Sequence, residues 1–176
     1  MAKRTSKGIF LKNAVKIIEK EKGPEGLKQL EKEFGDFKFS AFKNYPMEEN
    51  VRFNKAAVKV LYGEVTSDAW RKFGGLAFHT YVDSVVGRTM MSLLGNDLEK
   101  VIFALEKVLG TVSAGYEMEV EKLNDNKFKI RFFNNPDEIE FYEGVFVAGI
   151  KYFGYKPKVS SKAFGKENFE YVLEWE

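Results

Sequence analysis

The chain has 176 residues, of which 44% are hydrophobic and 31% charged, and its formal net charge is +2. This length suits one domain with a substantial core, and so small a positive charge does not indicate a nucleic-acid-binding protein, which needs clustered basic residues. Because the chain has no cysteine, disulfides, thiolate catalysis and cysteine-held zinc or iron–sulfur sites are excluded.

The same composition also indicates the cellular compartment and the source of the protein. No apolar run is long enough to span a bilayer, and the absence of cysteine fits a cytoplasmic protein. High Lys and Glu content with a single Gln indicates a thermophilic source. We expect residues 1–176 to form a single domain in which residues 1–7, short and basic, are disordered.

Apolar residues at helical spacing predict two helices, in residues 8–22 and 24–34, separated at Gly23. Pro24 suits the first turn of the second helix. Residues 36–45 lack this spacing. We expect them to form an ordered connection with three rings packed on the core: Phe37, Phe39 and Phe42.

A third helix is predicted from Pro46 to Gly63, and residues 66–68 offer N-cap side chains for a long helical region over 69–94. Glycine is unfavourable inside a helix, so the Gly74-Gly75 pair is expected to break or kink this region. The part beyond the glycines has a strong apolar face, made of Phe78, Val82, Val85, Val86, Met90 and Leu93.

One more helix follows an N-cap at Asn96 or Asp97 and is expected to stop at Gly110. The apolar spacing then changes to two, which predicts a hairpin of residues 116–123 and 127–133. On the outer face of this hairpin, the acidic side chains of one strand lie opposite the basic side chains of the other. Opposite charges across a ladder are favourable, so these residues indicate strand register rather than an active site.

A helix over 139–153 and strands over 156–161 and 169–175 complete the chain, with a loop between those strands. The predicted fold class is α+β: an N-terminal helical layer packed on a four-stranded antiparallel sheet, with hairpin, helix and hairpin in the C-terminal half.

Few side chains indicate chemistry. His79 is the only histidine, so a multi-histidine metal site is excluded; it is either an axial haem ligand or, as we expect, a partly buried residue hydrogen-bonded to a neighbour. Arg88 either contacts an anionic ligand or, as we expect, lies at the surface or in a structural pair. Phosphate-loop and serine-hydrolase motifs are absent, and no metal site is predicted.

Several segments resemble an uncharacterised bacterial family best represented in myxobacteria. They are Ala69-Trp70-Arg71-Lys72-Phe73-Gly74, Phe78, Tyr81, Gly87-Arg88-Thr89, Tyr45-Pro46 and Tyr142-x-Gly144-Val145. Through its C-terminal half, that family is similar to a superfamily of haem nitric-oxide-binding, 4-vinyl-reductase-like and vesicle-tethering transport-particle domains. This resemblance implies helices on an antiparallel sheet that enclose a haem, a small hydrophobic ligand or an acyl chain, or that serve in assembly.

The chain departs from that superfamily at its marked residues. The haem-binding branch has a proximal histidine and a Tyr-x-Ser-x-Arg motif for the haem propionates, whereas here Tyr81 is followed by Val82-Asp83-Ser84 and only later by Arg88. Cysteines found in the other two branches are absent. The resemblance therefore does not carry haem or metal binding to this chain, and no cofactor is expected.

We expect a non-enzymatic sensor or regulatory domain with a small hydrophobic ligand between helices and sheet. The expected lining is Phe78, Val82, Val86, Met90, Phe128, Phe132, Phe146 and Tyr152, with His79 and Arg88 as polar contacts. One alternative is a ligand-free interaction or assembly module, a homodimer. The other is a haem-type gas sensor acting through His79.

Overall fold

The computed structural model describes residues 3–176. In chain order its elements are β1 (Thr5–Lys7), α1 (Ile9–Phe34), β2 (Asn44–Pro46), α2 (Met47–Tyr62), α3 (Ser67–Val82), α4 (Val85–Leu94), α5 (Leu98–Val112), β3 (Ser113–Ala114), β4 (Glu117–Asn124), β5 (Lys127–Phe133), α6 (Ile139–Tyr152), β6 (Pro157–Gly165) and β7 (Asn168–Trp175). The predicted α+β class is confirmed: helices pack with two antiparallel sheets, one of four strands.

The first helix is bent where the sequence predicted a break. Gly23 has φ 63° and ψ −159°, outside the helical region, and Pro24 follows it directly. Glycine adopts a positive φ without a Cβ clash, so α1 consists of two helical segments. Leu11 and Ile18 of the first segment and Leu30 of the second are fully buried.

An aromatic cluster fixes the connection between α1 and α2. The rings of Phe34, Phe37 and Phe39 lie 4.8, 5.1 and 4.9 Å from the ring of Phe53, all edge-on, an arrangement that aromatic quadrupoles favour. Phe42 was expected to join this core but is 81% exposed. It lies in a turn, which directs its ring to solvent, so that prediction is wrong.

The break in the region 69–94 is not at the glycines. Gly74 and Gly75 lie inside α3, and the chain leaves the helix at Asp83 and Ser84 instead. Ser84 has an extended ψ of 161°, and its Oγ accepts a hydrogen bond from the backbone N–H of Gly87 at 3.0 Å. An N-cap of this kind starts a new helix, and Gly74 instead permits close packing of α3 on α6.

This break also corrects the apolar face predicted beyond the glycines. Val82 is buried, but Val85 and Leu93 are 72% and 81% exposed and Val86 is also exposed. Since Ser84 interrupts the helical repeat, α3 and α4 do not share one continuous face, and the outer side of α4 carries apolar side chains.

The four-stranded sheet has the order β4-β5-β7-β6 and is antiparallel throughout. Glu119 pairs with Arg131 and Glu121 with Lys129 across β4 and β5, so the opposed charges do mark the register. The closing hairpin is longer than predicted. Strand β6 runs to Gly165 and β7 starts at Asn168, where the sequence indicated a loop over 161–168.

A second sheet, of order β2-β1-β3, was not predicted. Its central strand, Thr5–Lys7, lies in the segment expected to be disordered, and Ser6 is only 3% exposed. That expectation is therefore wrong for residues 5–7, while residues 1 and 2 lie outside the described residues. Helix α5 continues past Gly110 to Val112 and leads directly into β3.

Two clusters of buried side chains form the core. One is formed mainly by α1, α2 and the start of α3; the other joins α5 and α6 to the four-stranded sheet. Helix α6 packs closely on α3 through glycines on both helices. The arrangement leaves space between the two clusters.

Candidate ligand cavity

A cavity of about 240 Å³ lies between the two buried clusters. Side chains from all six helices and from the four-stranded sheet line it. Most of them are apolar; Phe73, Ala77, Ile102, Leu105, Val145 and Ile150 are examples. Protein interiors are normally close-packed with few voids larger than a water molecule, so a space of this size is a specific feature of the chain.

The structure places five of the eight expected lining residues on the cavity: Phe78, Val82, Met90, Phe132 and Phe146. Val86 and Tyr152 are exposed and lie outside it. Val86 follows the break at Ser84, and Tyr152 lies at the end of α6, where its ring packs against Phe78 at 5.7 Å.

Phe128 is fully buried but does not line the cavity. The rings of Phe103 and Trp175 enclose it, at 5.3 and 5.6 Å. Phe128 is therefore a core residue of the sheet rather than a cavity residue, because alternation along β5 fixes the face of a side chain but not its neighbours.

The two expected polar contacts also lie outside the cavity. His79 is exposed, so the expectation of a partly buried histidine is wrong: Phe78 and Val82 face inward, and His79 lies further around α3. Arg88 is exposed and its guanidinium donates to the backbone oxygen of Asp83 at 2.8 Å. This is the surface placement expected for Arg88.

The polar side chains that do line the cavity were missed. They are Ser6, Asn13, Asn50, Asn54, Tyr81, Ser113, Tyr116, Asp137 and Tyr142. One signal was available in the sequence: Asn50 and Asn54 are one turn apart and alternate with the buried Phe53 and Ala57 on the same side of α2. Polar residues within an apolar helical face indicate a lined cavity or a buried hydrogen bond.

Asn50 is buried, at 7% exposure, and its side-chain amide donates to Ser6 Oγ. Its Oδ1 atom is buried and has no hydrogen-bond partner among residues 3–176. Exchanging the amide nitrogen and oxygen would leave the nitrogen unpaired instead. In either orientation, one polar atom of Asn50 is unsatisfied, at a typical cost of about 1–3 kcal/mol.

Asp137 and Tyr142 form a second polar group. The Tyr142 hydroxyl donates to Asp137 Oδ2 at 2.9 Å, and Asn135 Oδ1 accepts from the Asp137 backbone N–H at 2.9 Å. Burial of the carboxyl raises the pKa of Asp137 to about 6. The residue keeps some accessible surface and lines the cavity.

The small sheet joins these groups into one side of the cavity. Ser6 on β1, which bonds Asn50, is the register partner of Ser113 on β3. Ser113 and Tyr116 both line the cavity, and burial raises the pKa of Tyr116 to about 12. Arg4 anchors this region by donating to Glu48, Asn134 and Glu167.

The chemistry of this arrangement is hydrogen bonding, mostly by uncharged groups. Among the cavity residues that the structure describes, Asp137 is the one acidic side chain, and none is Lys, Arg or His. Residues 3–176 contain no group of three or more His, Cys, Asp or Glu placed to hold a metal ion. The site supplies polar contacts in an apolar space.

A histidine-ligated haem does not fit these residues. His79 lies outside the cavity, and no cationic side chain lines it to pair with haem propionates in the described part of the chain.

Within residues 3–176, no helix is both long and apolar enough to cross a membrane.

Comparisons with known proteins identify both a family and a fold. The family described as "Protein of unknown function (DUF2378)" matches residues 1–176. No curated protein matches the sequence.

Solved H-NOX structures share the fold. A mutant H-NOX from T. tengcongensis has a TM-score of 0.75 at 12% identity, covering 97% of both chains. The Fe(II) unliganded H-NOX protein from K. algicida has a TM-score of 0.73 at 12% identity, covering 97% of this chain and 96% of the other. A third structure, from work on haem redox potential and porphyrin distortion, has a TM-score of 0.76 at 12% identity, with coverage of 97% and 95%.

Proposed function

The chain belongs over its whole length to the family Protein of unknown function (DUF2378), and we propose that it is a non-enzymatic sensor domain that binds a small, mainly apolar molecule inside the cavity. The observation that carries this proposal is the apolar space of about 240 Å³ between the helices and the sheet. A cavity of about 150 Å³ is enough to bind benzene, so this one has room for a larger molecule.

The size of the cavity supports a binding role because an empty apolar cavity lowers the free energy of unfolding. Small apolar side chains on the lining, such as Ala77 and Val101, would fill part of the space if they were larger. A chain selected only for a stable core would gain from such replacements, whereas a chain that binds a ligand would lose its site.

The shared fold adds a second line of support. H-NOX proteins have the same arrangement, and one of the matched structures concerns a haem. The fold is therefore compatible with a prosthetic group between helices and sheet. Here the lining has no histidine and no cationic side chain among the described residues. The internal site is therefore proposed to bind a small, mainly apolar molecule rather than a haem.

Native mass spectrometry of the protein purified from its own host tests the proposal directly. We expect extra mass on each subunit that is lost on denaturation. Octane is a suitable probe of the purified, delipidated chain, with binding followed by ligand-detected NMR. A protein that carries no extra mass and takes up no octane would contradict the proposal.

A matched pair of variants separates the cavity from the surface. Val101 of α5 lines the cavity, and Val86 of α4 is exposed outside it. Val101→Phe should reduce octane binding, because the larger ring occupies part of the space, while Val86→Phe should leave it unchanged. Equal effects of both variants would argue against binding in the cavity.

A second candidate function is a homodimeric assembly module. Val85 and Leu93 lie two turns apart on α4 and are 72% and 81% exposed, which places two large apolar side chains on one outer face. Sedimentation velocity should then show a dimer that Leu93→Ser converts to a monomer. A monomer at high concentration would exclude this alternative.

A further inference from the structure

The ligand is proposed above to be mainly apolar, and the asparagines on the cavity wall define its polar end. We propose that the ligand has an uncharged hydrogen-bonding head group, a hydroxyl or a carboxamide, which the carboxamides of Asn13, Asn50 and Asn54 bind. This inference rests on the proposed function of the cavity and adds the chemical class of its ligand.

The first observation is the unsatisfied carboxamide of Asn50. This side chain is more than nine-tenths buried and lines the cavity, and its Oδ1 has no partner among residues 3–176. A buried acceptor left unpaired costs free energy. A ligand hydroxyl or amide N–H at this point would supply the missing hydrogen bond.

The second observation is that three asparagines from two helices line the same cavity. Asn50 and Asn54 are one turn apart on α2, and Asn13 comes from α1, where it is 5% exposed. Each carboxamide can both donate and accept. A head group that does both, such as a hydroxyl or a carboxamide, matches this wall better than a group that only accepts.

The third observation is the charge of the lining. Asp137 is the one acidic residue, and among the described residues no Lys, Arg or His lines the cavity to balance an anion. An ionised carboxylate on the ligand would be buried without a cation, next to an acidic group, which is strongly unfavourable. The same apolar surroundings make a buried ammonium costly, although Asp137 offsets part of that cost.

A set of probes with one apolar body tests the head group. We would measure the binding of 1-octanol, octanamide, octylamine and octanoate to the delipidated full chain by calorimetry at pH 7.5, with octane as the apolar reference. The alcohol and the amide should bind about tenfold or more tightly than octanoate, a difference of about 1.4 kcal/mol. Octylamine should lie between them.

Each result separates the inference from the function on which it rests. If octanoate or octylamine binds as tightly as 1-octanol, the inference is wrong although the cavity binds ligands. Binding of octane with no uptake of the alcohol or amide also overturns it and leaves the proposed function intact. No binding of any probe, octane included, overturns the proposed function itself.

Two variants assign the effect to the asparagines. Asn50→Leu removes the unpaired atom with little change in volume, and the affinity for 1-octanol should fall about five- to tenfold, as expected for one lost hydrogen bond. Octane affinity should stay the same or rise. Because Asn50 also bonds Ser6, Asn54→Leu is the companion variant that leaves that bond in place, with the same expected direction.

A charge variant completes the test. Asp137→Asn removes the acidic group, so octanoate affinity should rise toward that of 1-octanol.

The asparagine variants also have an outcome that would overturn the inference. Unchanged 1-octanol affinity in both of them would show that water, rather than a ligand head group, forms the hydrogen bonds of the asparagine carboxamides.

Discussion

Gly74 of α3 and Gly144 of α6 form a reciprocal contact between two helix backbones. A Cβ on Gly74 would overlap the carbonyl oxygen of Phe141, and a Cβ on Gly144 would overlap the carbonyl oxygen of Arg71. Each glycine therefore lies against the main chain of the other helix, where no flexible side chain can move aside. This contact holds α6 against the helical layer and so defines one wall of the cavity.

Gly74→Ala and Gly144→Ala should each destabilise the protein by roughly 2 kcal/mol or more, because the added methyl group forces two backbones apart. Urea denaturation measures the effect. Gly75→Ala, one residue along the same helix, is the control: a Cβ there makes only ordinary contacts at 3.9 Å, and alanine favours the helix by up to about 1 kcal/mol. Equal effects at both positions would contradict this account.

Asp137 gives a dependence of stability on pH. Its folded-state pKa of about 6 lies above its ordinary value of 3.8, so folding favours the protonated carboxyl and the stabilisation is lost as pH rises from about 4 to about 6. At about 1.4 kcal/mol for each pKa unit, the loss is roughly 3 kcal/mol.

Asp137→Asn isolates this effect from other carboxylates. The hydrogen bond from Lys162, for example, lowers the pKa of Glu170, so the stabilisation from Glu170 is lost as pH falls rather than as it rises. The native protein and the variant both contain Glu170, so its contribution cancels when the two are compared. We expect the variant and the native protein to have similar free energies of unfolding at pH 4 and the variant to be more stable at pH 7.5. A difference that does not change with pH would show that the carboxyl is solvated.

The cap at Ser84 should be required for the start of α4. Its Oγ accepts from Gly87 N–H and donates to the Tyr81 carbonyl oxygen at 2.6 Å, so Ser84→Ala should cost about 1 kcal/mol in thermal or urea denaturation. Thr89→Ala in the exposed part of the same helix is the matched control and should have little effect. If both variants behave alike, Ser84 is not a cap in solution.

His79 should have no role in haem binding. Because its side chain is exposed and lies outside the cavity, the absorbance spectrum of the protein incubated with haem should be the same for the native chain and for His79→Ala. A Soret band in the native protein that disappears in the variant would restore the haem-sensor hypothesis.

Local sequence patterns were sufficient for most helices and strands. The caps at Thr66 and Asp97 accept hydrogen bonds from Ala69 and Lys100 as their side chains predict, and the alternation of β4 and β5 gave their pairing. These features depend on residues close in sequence, so they can be read without knowing the rest of the fold.

The cavity could be predicted only in part. Phe78, Val82 and Phe132 line it as expected, whereas Val86 and Tyr152 do not. A helical repeat shows which residues share a face, but it does not show where Ser84 interrupts that face. The glycines were similarly ambiguous, since glycine both breaks helices and permits close helix packing.

The sequence by itself determined the fold class, the caps at Thr66 and Asp97 and the four-stranded sheet, because each follows from periodicity and short-range hydrogen bonding. Only the tertiary structure decided the three-stranded sheet β2-β1-β3 and the polar side chains that line the cavity beside it. Strands β1 and β3 have three and two residues and pair across more than a hundred positions, too short to give an alternating pattern. The unpaired oxygen of Asn50 exists only because α2 meets β1, and a contact between residues distant in sequence leaves no local signal.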